Sequence, residues 1–117
     1  MPAVKKAAKT EPKNKKHTCS MVRVQYLIGG KWKLILLWQL SLKTWRFNEL
    51  RREMPEISQR VLTSQLRDLE RDGFVRRKIY REIPPKVEYS LTLKGKSLEP
   101  LFDWMCDWGH KHLPPEK

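Results

Sequence analysis

The spacing of apolar residues changes at each predicted element, beginning with two helices. Apolar positions within 21–28 stop at Gly29-Gly30, a pair that predicts a helix closed by glycine in left-handed geometry. A second helix is predicted to start near Lys31. Its residues 32–40 are apolar on nearly every face, so we expect this helix, tryptophans included, at the centre of the core.

Two further helices are predicted in close succession after a connector over 41–46. Phe47, Leu50 and Met54 fall at i, i+3 and i+7, which predicts a short amphipathic helix ended by Pro55. A brief turn then leads to Ser58, a suitable N-cap for the next helix.

The helix after Ser58 has two distinct faces and is predicted to end at Asp72-Gly73. Its apolar stripe, at i, i+4 and i+7, consists of Leu62, Leu66 and Leu69. Its opposite face carries the polar side chains of Gln59, Arg60, Thr63, Ser64 and Arg67. Such side chains, with the Ser58 hydroxyl, contact base edges and phosphates in DNA. The order of short helix, turn and capped helix is typical of a helix-turn-helix.

A basic hairpin is predicted directly after this helix. Residues 74–80 have the β-branched and aromatic content of a strand, and residues 87–91 alternate between apolar and polar. Two prolines within 81–86 cannot continue a ladder, so this segment is predicted to form the tip. The candidate DNA-binding cations of this predicted wing are Arg77, Lys78, Arg81 and Lys86. A basic hairpin alone is more often a solvated edge, but its position after a helix-turn-helix favours a wing.

The last predicted element is one helix starting near Thr92, with Gly109 and Pro114 marking its end. Its wide apolar stripe consists of Leu98, Leu101, Phe102, Met105 and Trp108. One small domain cannot cover such a stripe, and a bare stripe would promote aggregation. The pattern therefore predicts a homodimer.

Charge and length narrow the class of protein. The chain has 117 residues and a formal net charge of +12, a surplus that favours a polyanionic partner such as nucleic acid. Residues 1–18 hold six lysines against one acid and are predicted to be a disordered basic arm. Residues 19–112 are predicted to form one domain, with 113–117 as a tail. The other interpretation of the charge is a merely solvated basic surface.

The folded part of the sequence resembles the HxlR-type winged-helix regulators over residues 19–109. The matching stretches are IGGKW (28–32), RFNELRR (46–52), ISQRVLTSQLRDLERDGFV (57–75), PPKVEYSLTLKG (84–95) and Trp108-Gly109. Two departures are Ser20, where the family commonly has proline after a cysteine, and residues 43–45, which replace a turn that often contains glycine.

The resemblance implies a mainly helical α+β fold, a winged helix-turn-helix whose terminal helices form a dimer. It implies a transcription regulator that binds a near-palindromic operator in double-stranded DNA, with a recognition helix over 58–72 and a wing over 80–87. The implied dimer surface combines the first helix, with Met21 and Val24, and residues 98–108. Some members of the family sense oxidants or electrophiles through a cysteine at the position of Cys19.

The two cysteines are interpreted differently. Cys19 lies near His17, Arg23 and the basic arm, ahead of a predicted helix, and these surroundings favour the thiolate. Cys19 is therefore a candidate redox switch, although a reduced, packed thiol explains it equally well. Cys106 lies between acidic residues and is predicted to pack in the core or the dimer.

Other functions find little support in the sequence. A Cys2His2 site would need Cys19, Cys106 and two histidines, but their spacing is looser than in structural metal sites, so neither a metal nor another cofactor is expected. No catalytic motif is present, so an enzyme is not expected. The main alternative is an architectural protein that coats DNA nonspecifically. We expect a cytoplasmic, nucleoid-associated protein with no membrane partner; the effector and the operator sequence stay unidentified.

Overall fold

A computed structural model describes residues 20–115. The predicted basic arm, His17 and Cys19 lie outside these residues. The described helices are α1 (Ser20–Ile28), α2 (Lys33–Leu42), α3 (Phe47–Glu53), α4 (Gln59–Arg71), α5 (Leu93–Lys96) and α6 (Glu99–His112). The strands are β1 (Trp45–Arg46), β2 (Val75–Tyr80) and β3 (Lys86–Leu91). The predicted α+β, mainly helical class is confirmed.

The core forms where α2, α3 and α4 meet the sheet. Its most deeply buried side chains are six leucines: Leu36, Leu37, Leu50, Leu62, Leu66 and Leu69. The prediction that α2 is central holds for its inner face. It is wrong for the outer face, because Ile35 remains 44% exposed. The apolar excess on α2 therefore reaches the molecular surface.

The predicted connector over 41–46 is partly a strand. Helix α2 continues to Leu42, and β1 pairs with β3 in an antiparallel sheet of order β1-β3-β2. Trp45 lies opposite Tyr89, and its indole Nε1 donates a hydrogen bond to the Gln39 carbonyl oxygen at 2.7 Å. A two-residue strand has no visible alternation, so its pairing depends on a partner more than 40 positions away.

Glycine ends two helices as predicted. Gly30 after α1 and Gly73 after α4 have φ angles of 97° and 87°, which side chains with a Cβ rarely adopt. The Gly73 carbonyl accepts a hydrogen bond from Thr92 Oγ1 at 2.6 Å. This bond ties the end of α4 to the segment that follows the sheet.

The predicted single C-terminal helix is two helices. Thr92 caps α5, accepting a hydrogen bond from the Gly95 N–H at 3.1 Å, and the chain turns before α6. Gly95 is buried, and a Cβ there would overlap the Phe74 carbonyl oxygen. Gly95 thus holds α5 closely against the residue that precedes β2. Gly109 lies inside α6, so its assignment as an end was wrong. The helix stops shortly before Pro114, as predicted.

Among residues 20–115, no helix is both long and apolar enough to cross a membrane.

Candidate nucleic-acid interface

The α3-turn-α4 unit is held by backbone and capping hydrogen bonds. The Met54 N–H donates to the Leu50 carbonyl at 3.1 Å, and the Ile57 N–H donates to the Met54 carbonyl at 3.2 Å. Ser58 Oγ then accepts from the Val61 N–H at 3.1 Å, which is the predicted N-cap. The buried leucines of α4 anchor this helix, so its opposite face turns to solvent.

That opposite face contains the residues predicted to contact DNA. Gln59, Arg60, Ser64 and Arg67 are exposed and Thr63 is partly buried. They line one shallow concave surface, together with Asp68 and Arg71. The structure therefore brings the predicted set together, while the Ser58 hydroxyl serves the helix cap.

Ion pairs divide the charges of α4 into two groups. Arg71 lies 3.2 Å from Asp68 and 3.3 Å from Asp72, so its charge is largely neutralised within the helix end. Arg60 and Arg67 have no ion pair within 4.0 Å among the described residues. The N-terminal part of α4 thus keeps its positive charge available to an anion.

The predicted wing is present, but its cations do not share one face. Strands β2 and β3 pair from Val75 opposite Leu91 to Tyr80 opposite Lys86. Arg77 faces α4, because its Nε lies 3.7 Å from a Glu70 carboxylate oxygen. Lys78 follows directly in the strand and therefore points to the other face. Arg77 and Lys78 therefore leave the strand on opposite faces of the hairpin.

Lys86 is held within the wing. Its Nζ lies 3.7 Å from Glu82, 3.8 Å from Glu88 and 4.1 Å from the centre of the Tyr80 ring. Lys78 Nζ lies 4.8 Å from the same ring. Only 20% of the Lys86 side chain is exposed. These contacts make Lys86 a brace between the two strands, whereas Arg81 is exposed.

A cleft between α3, α4 and the wing carries further cations. Its charged and polar lining includes Arg46, Asn48, Arg52, Thr63, Arg67, Arg77 and Lys86. Arg46, Asn48 and Arg52 were not among the DNA-contacting residues predicted from the sequence. The spacing of Asn48 and Arg52 at i and i+4 puts both on one face of α3, and this signal could have identified them. In a helix-turn-helix the first helix crosses the DNA backbone.

Two groups that line this cleft have a shifted pKa. Glu49 accepts a hydrogen bond from the Arg46 N–H at 2.9 Å, and this bond, aided by nearby cations and opposed by desolvation, lowers the pKa of Glu49. Burial raises the pKa of Tyr89, while Arg77 opposes the rise. Near neutral pH the cleft therefore contains the capped Glu49 carboxylate and the neutral Tyr89 phenol beside its arginines, and its lining also includes Glu82.

The side chains predicted for the dimer occupy different depths. Met21 is 71% exposed and Trp108 is 44% exposed, and Val24 and Met105 also face solvent. Leu98 and Leu101 are half-buried against the core. Phe102 belongs to the core of its own chain, so it offers no surface to a second copy. Exposed Trp104 extends the apolar face and was not foreseen.

Cys106 is exposed, so the expectation that it packs in the core was wrong; its alternative, packing in a dimer, stays a prediction. No group of three or more potential metal ligands occurs among residues 20–115. His112 is also exposed, with its ring stacked on Trp108 at a centroid distance of 4.6 Å.

A short helix, a turn, a capped helix with an open polar face and a following basic hairpin define a winged helix-turn-helix DNA-binding protein. The family model described as HxlR-like helix-turn-helix matches residues 27–117. The chain belongs to the HxlR family, a family of transcriptional regulators and not of enzymes, and is a sequence-specific DNA-binding transcriptional regulator.

Three known proteins illustrate the relationship. The HTH-type transcriptional regulator YdeP of Bacillus subtilis is 53% identical over 94 residues, which cover 80% of this chain and 73% of YdeP. The redox regulator HypR in its oxidized form superposes with a TM-score of 0.77 at 48% identity, covering 83% of this chain and all of HypR. Diamide-treated YodB from B. subtilis superposes with a TM-score of 0.66 at 32% identity, covering 85% and 99%.

Proposed function

We propose that this regulator binds a near-palindromic operator in double-stranded DNA as a homodimer, with α4 in the major groove and the wing beside it. The observation that carries the proposal is the open face of α4, where Gln59, Thr63 and Arg67 converge next to a basic cleft. A regulator acting on this DNA works in the cytoplasm, on the nucleoid.

The residues divide into base-reading and phosphate-binding groups. Gln59, Thr63 and Ser64 have the hydrogen-bonding groups that distinguish base edges, and Arg67 can reach a guanine or a phosphate. Arg60, Arg77 and Arg81 supply phosphate contacts. Arg46, at the end of β1, and Arg52 of α3 extend that contact along the DNA backbone. Lys78 serves only DNA that passes the outer face of the wing.

A second copy of the chain fits the exposed apolar side chains of α1 and α6. Met21 and Val24 on α1, with Met105 and Trp108 on α6, expose their side chains to solvent. Pairing these faces would remove apolar area from water and place two α4 helices symmetrically. Two symmetric helices require two related half-sites in the DNA.

Selection of bound duplexes from a random-sequence pool tests the proposal. We expect enrichment of a site with two inverted halves about 10 base pairs apart, centre to centre. Unselected DNA should compete poorly for the protein once salt is physiological. Enrichment of no sequence, with equal competition by unselected DNA, would instead show a protein that coats DNA.

We also propose that Cys19 makes DNA binding responsive to oxidants. Two structural relatives at 48% and 32% identity are described as a redox regulator and as a diamide-treated regulator. Cys19 stands ahead of α1, and the basic arm favours its thiolate. With diamide, two Cys19 thiols of a dimer would lose two electrons and two protons and form one disulfide. Diamide would accept the two electrons and the two protons and become the hydrazine.

Operator binding before and after diamide tests this role. Wild type should change its affinity after treatment and recover with dithiothreitol, whereas Cys19→Ser should bind alike throughout. Cys106→Ser is the matched control, because Cys106 is the other thiol of the chain, and it should respond as wild type does. If wild type and Cys19→Ser behave alike in every condition, Cys19 is structural.

A further inference from the structure

The tip of the wing presents an isoleucine entirely to solvent. Ile83 is 103% exposed, the highest value among the large apolar residues of the described chain. Pro84 and Pro85, which follow it, are exposed as well. Turns are usually rich in Gly, Pro, Asn, Asp or Ser, so the prolines are ordinary here and the fully exposed isoleucine is not. An apolar tip on a DNA-binding hairpin therefore suggests that the DNA complex buries it.

The tip is also made rigid by its prolines and by contacts at its base. The two prolines fix their own φ angles, and the Glu82 N–H donates to the Tyr80 carbonyl at 3.1 Å. Lys86 ties Glu82 to Glu88 directly beneath the tip, at 3.7 and 3.8 Å. A braced tip loses little conformational entropy when it is buried. The same ion pair draws the Glu82 charge toward Lys86, which reduces its repulsion of phosphates.

The position of the tip relative to α4 indicates where it meets DNA. Pro84 and Pro85 line the same cleft as Thr63 and Arg67 of α4. With α4 in a major groove, the tip reaches the groove that flanks it. The minor groove is about 6 Å wide, which is enough for one narrow side chain. Arg81 lies two residues before Ile83 and is exposed, so it can bind a phosphate that borders the groove.

We propose that Ile83 inserts into the minor groove as an apolar wedge and bends the operator DNA. This inference rests on the proposed function, since it needs α4 in the adjacent major groove. Apolar wedges partly unstack a base step and bend the duplex toward the major groove. Pyrimidine-purine steps such as TA unstack most easily, so the wedge adds a sequence preference outside the bases that α4 contacts.

Full-length variants and the duplex selected from a random pool test the wedge. Ile83→Ala should weaken binding about tenfold, because most of an isoleucine side chain is no longer buried. It should also reduce the bend, measured by energy transfer between dyes at the two duplex ends. The salt dependence of binding should stay as in wild type, because no charge is lost. Ile83→Leu should retain both affinity and bend.

Two controls separate the wedge from the rest of the wing. Ile79→Ala removes another exposed isoleucine, from the strand and not the tip, and should bind and bend DNA as wild type does. Replacing a TA step by GC where the tip lies should weaken wild type but leave Ile83→Ala nearly unchanged.

Two results overturn the wedge, and one further measurement identifies which proposal has failed. The wedge is wrong if Ile83→Ala binds and bends the selected duplex like wild type, or if both proteins respond equally to the TA replacement. The triple variant Gln59→Ala, Thr63→Ala, Arg67→Ala is measured in parallel. If this triple variant loses the preference for the selected duplex, the proposed function stands without the wedge. If it keeps that preference, α4 does not read the site and the proposed function fails too.

Discussion

Single residues on α4 belong either to the fold or to the DNA surface. Leu62 and Leu66 lie in the core, while Gln59 and Arg67 on the opposite face are exposed. A substitution on the open face should therefore change DNA binding and leave the free energy of unfolding nearly unchanged. Point mutations on this face can therefore test DNA recognition separately from folding stability.

Substitutions on the open face of α4 should lower specificity more than affinity for DNA in general. Gln59→Ala, Thr63→Ala or Arg67→Ala is expected to cost about 1–3 kcal/mol on the selected operator and much less on unselected DNA. Titrations with both duplexes at one salt concentration measure the difference. Equal losses on the two DNAs would mean that these side chains contact only phosphates.

The wing cations should contribute unequally to the salt dependence of DNA binding, because Arg81 and Lys86 have different surroundings. Arg81 is exposed, so Arg81→Ala should weaken binding to all sequences and reduce the slope of log affinity against log salt by about one. Lys86 is paired with Glu82 and Glu88, so Lys86→Ala should change that slope less. A larger change of slope for Lys86→Ala would show that DNA displaces Lys86 from its acidic partners.

At the scale of the element, the N-terminus of α3 is stabilised by the carboxylate of Glu49. The Arg46 N–H has no partner within the helix and donates to Glu49, as capping requires. This bond lowers the pKa of Glu49 in the folded state. The bond therefore contributes its full stabilisation of the folded protein when the pH is above the ordinary pKa of a glutamate. It is lost as the pH falls through the lowered pKa of the folded protein.

Glu49→Gln should therefore destabilise the protein near neutral pH, and the difference from wild type should vanish in acid. Urea unfolding followed by tryptophan fluorescence at about pH 7 and about pH 3 brackets the relevant range. Glu53→Gln, at the other end of α3, is the control for a changed net charge. A Glu49→Gln difference that is the same at both pH values would show that the carboxylate charge does not contribute.

At the scale of the whole molecule, the uncovered face of α1 and α6 leads to an expected oligomeric state. Sedimentation at micromolar concentration should give twice the 14.0 kDa chain mass. Trp108→Glu should shift the protein toward monomer, because it places a charge where a second copy packs. Ile79→Glu alters an exposed isoleucine on the wing and should remain dimeric. A wild type that is monomeric in solution and on DNA would contradict the dimer.

Local pattern alone determined much of this protein. The stripe of three leucines, the Ser58 cap and Gly73 define α4, and the alternation in β3 together with the two prolines defines a hairpin. These features depend on hydrogen bonds and side-chain directions within one segment, which residue spacing controls. The open face of α4 followed from the same spacing, so its candidate DNA contacts could be identified in advance.

The tertiary structure decided what depends on contacts between distant segments. It paired β1 with β3, broke the last helix where Gly95 packs on Phe74, and placed Phe102 in the core. It also brought Arg46 of β1 and Arg52 of α3 to the wing and held Lys86 between two acids. Each of these outcomes requires the core to close first, because only then do residues far apart in the chain come within contact distance.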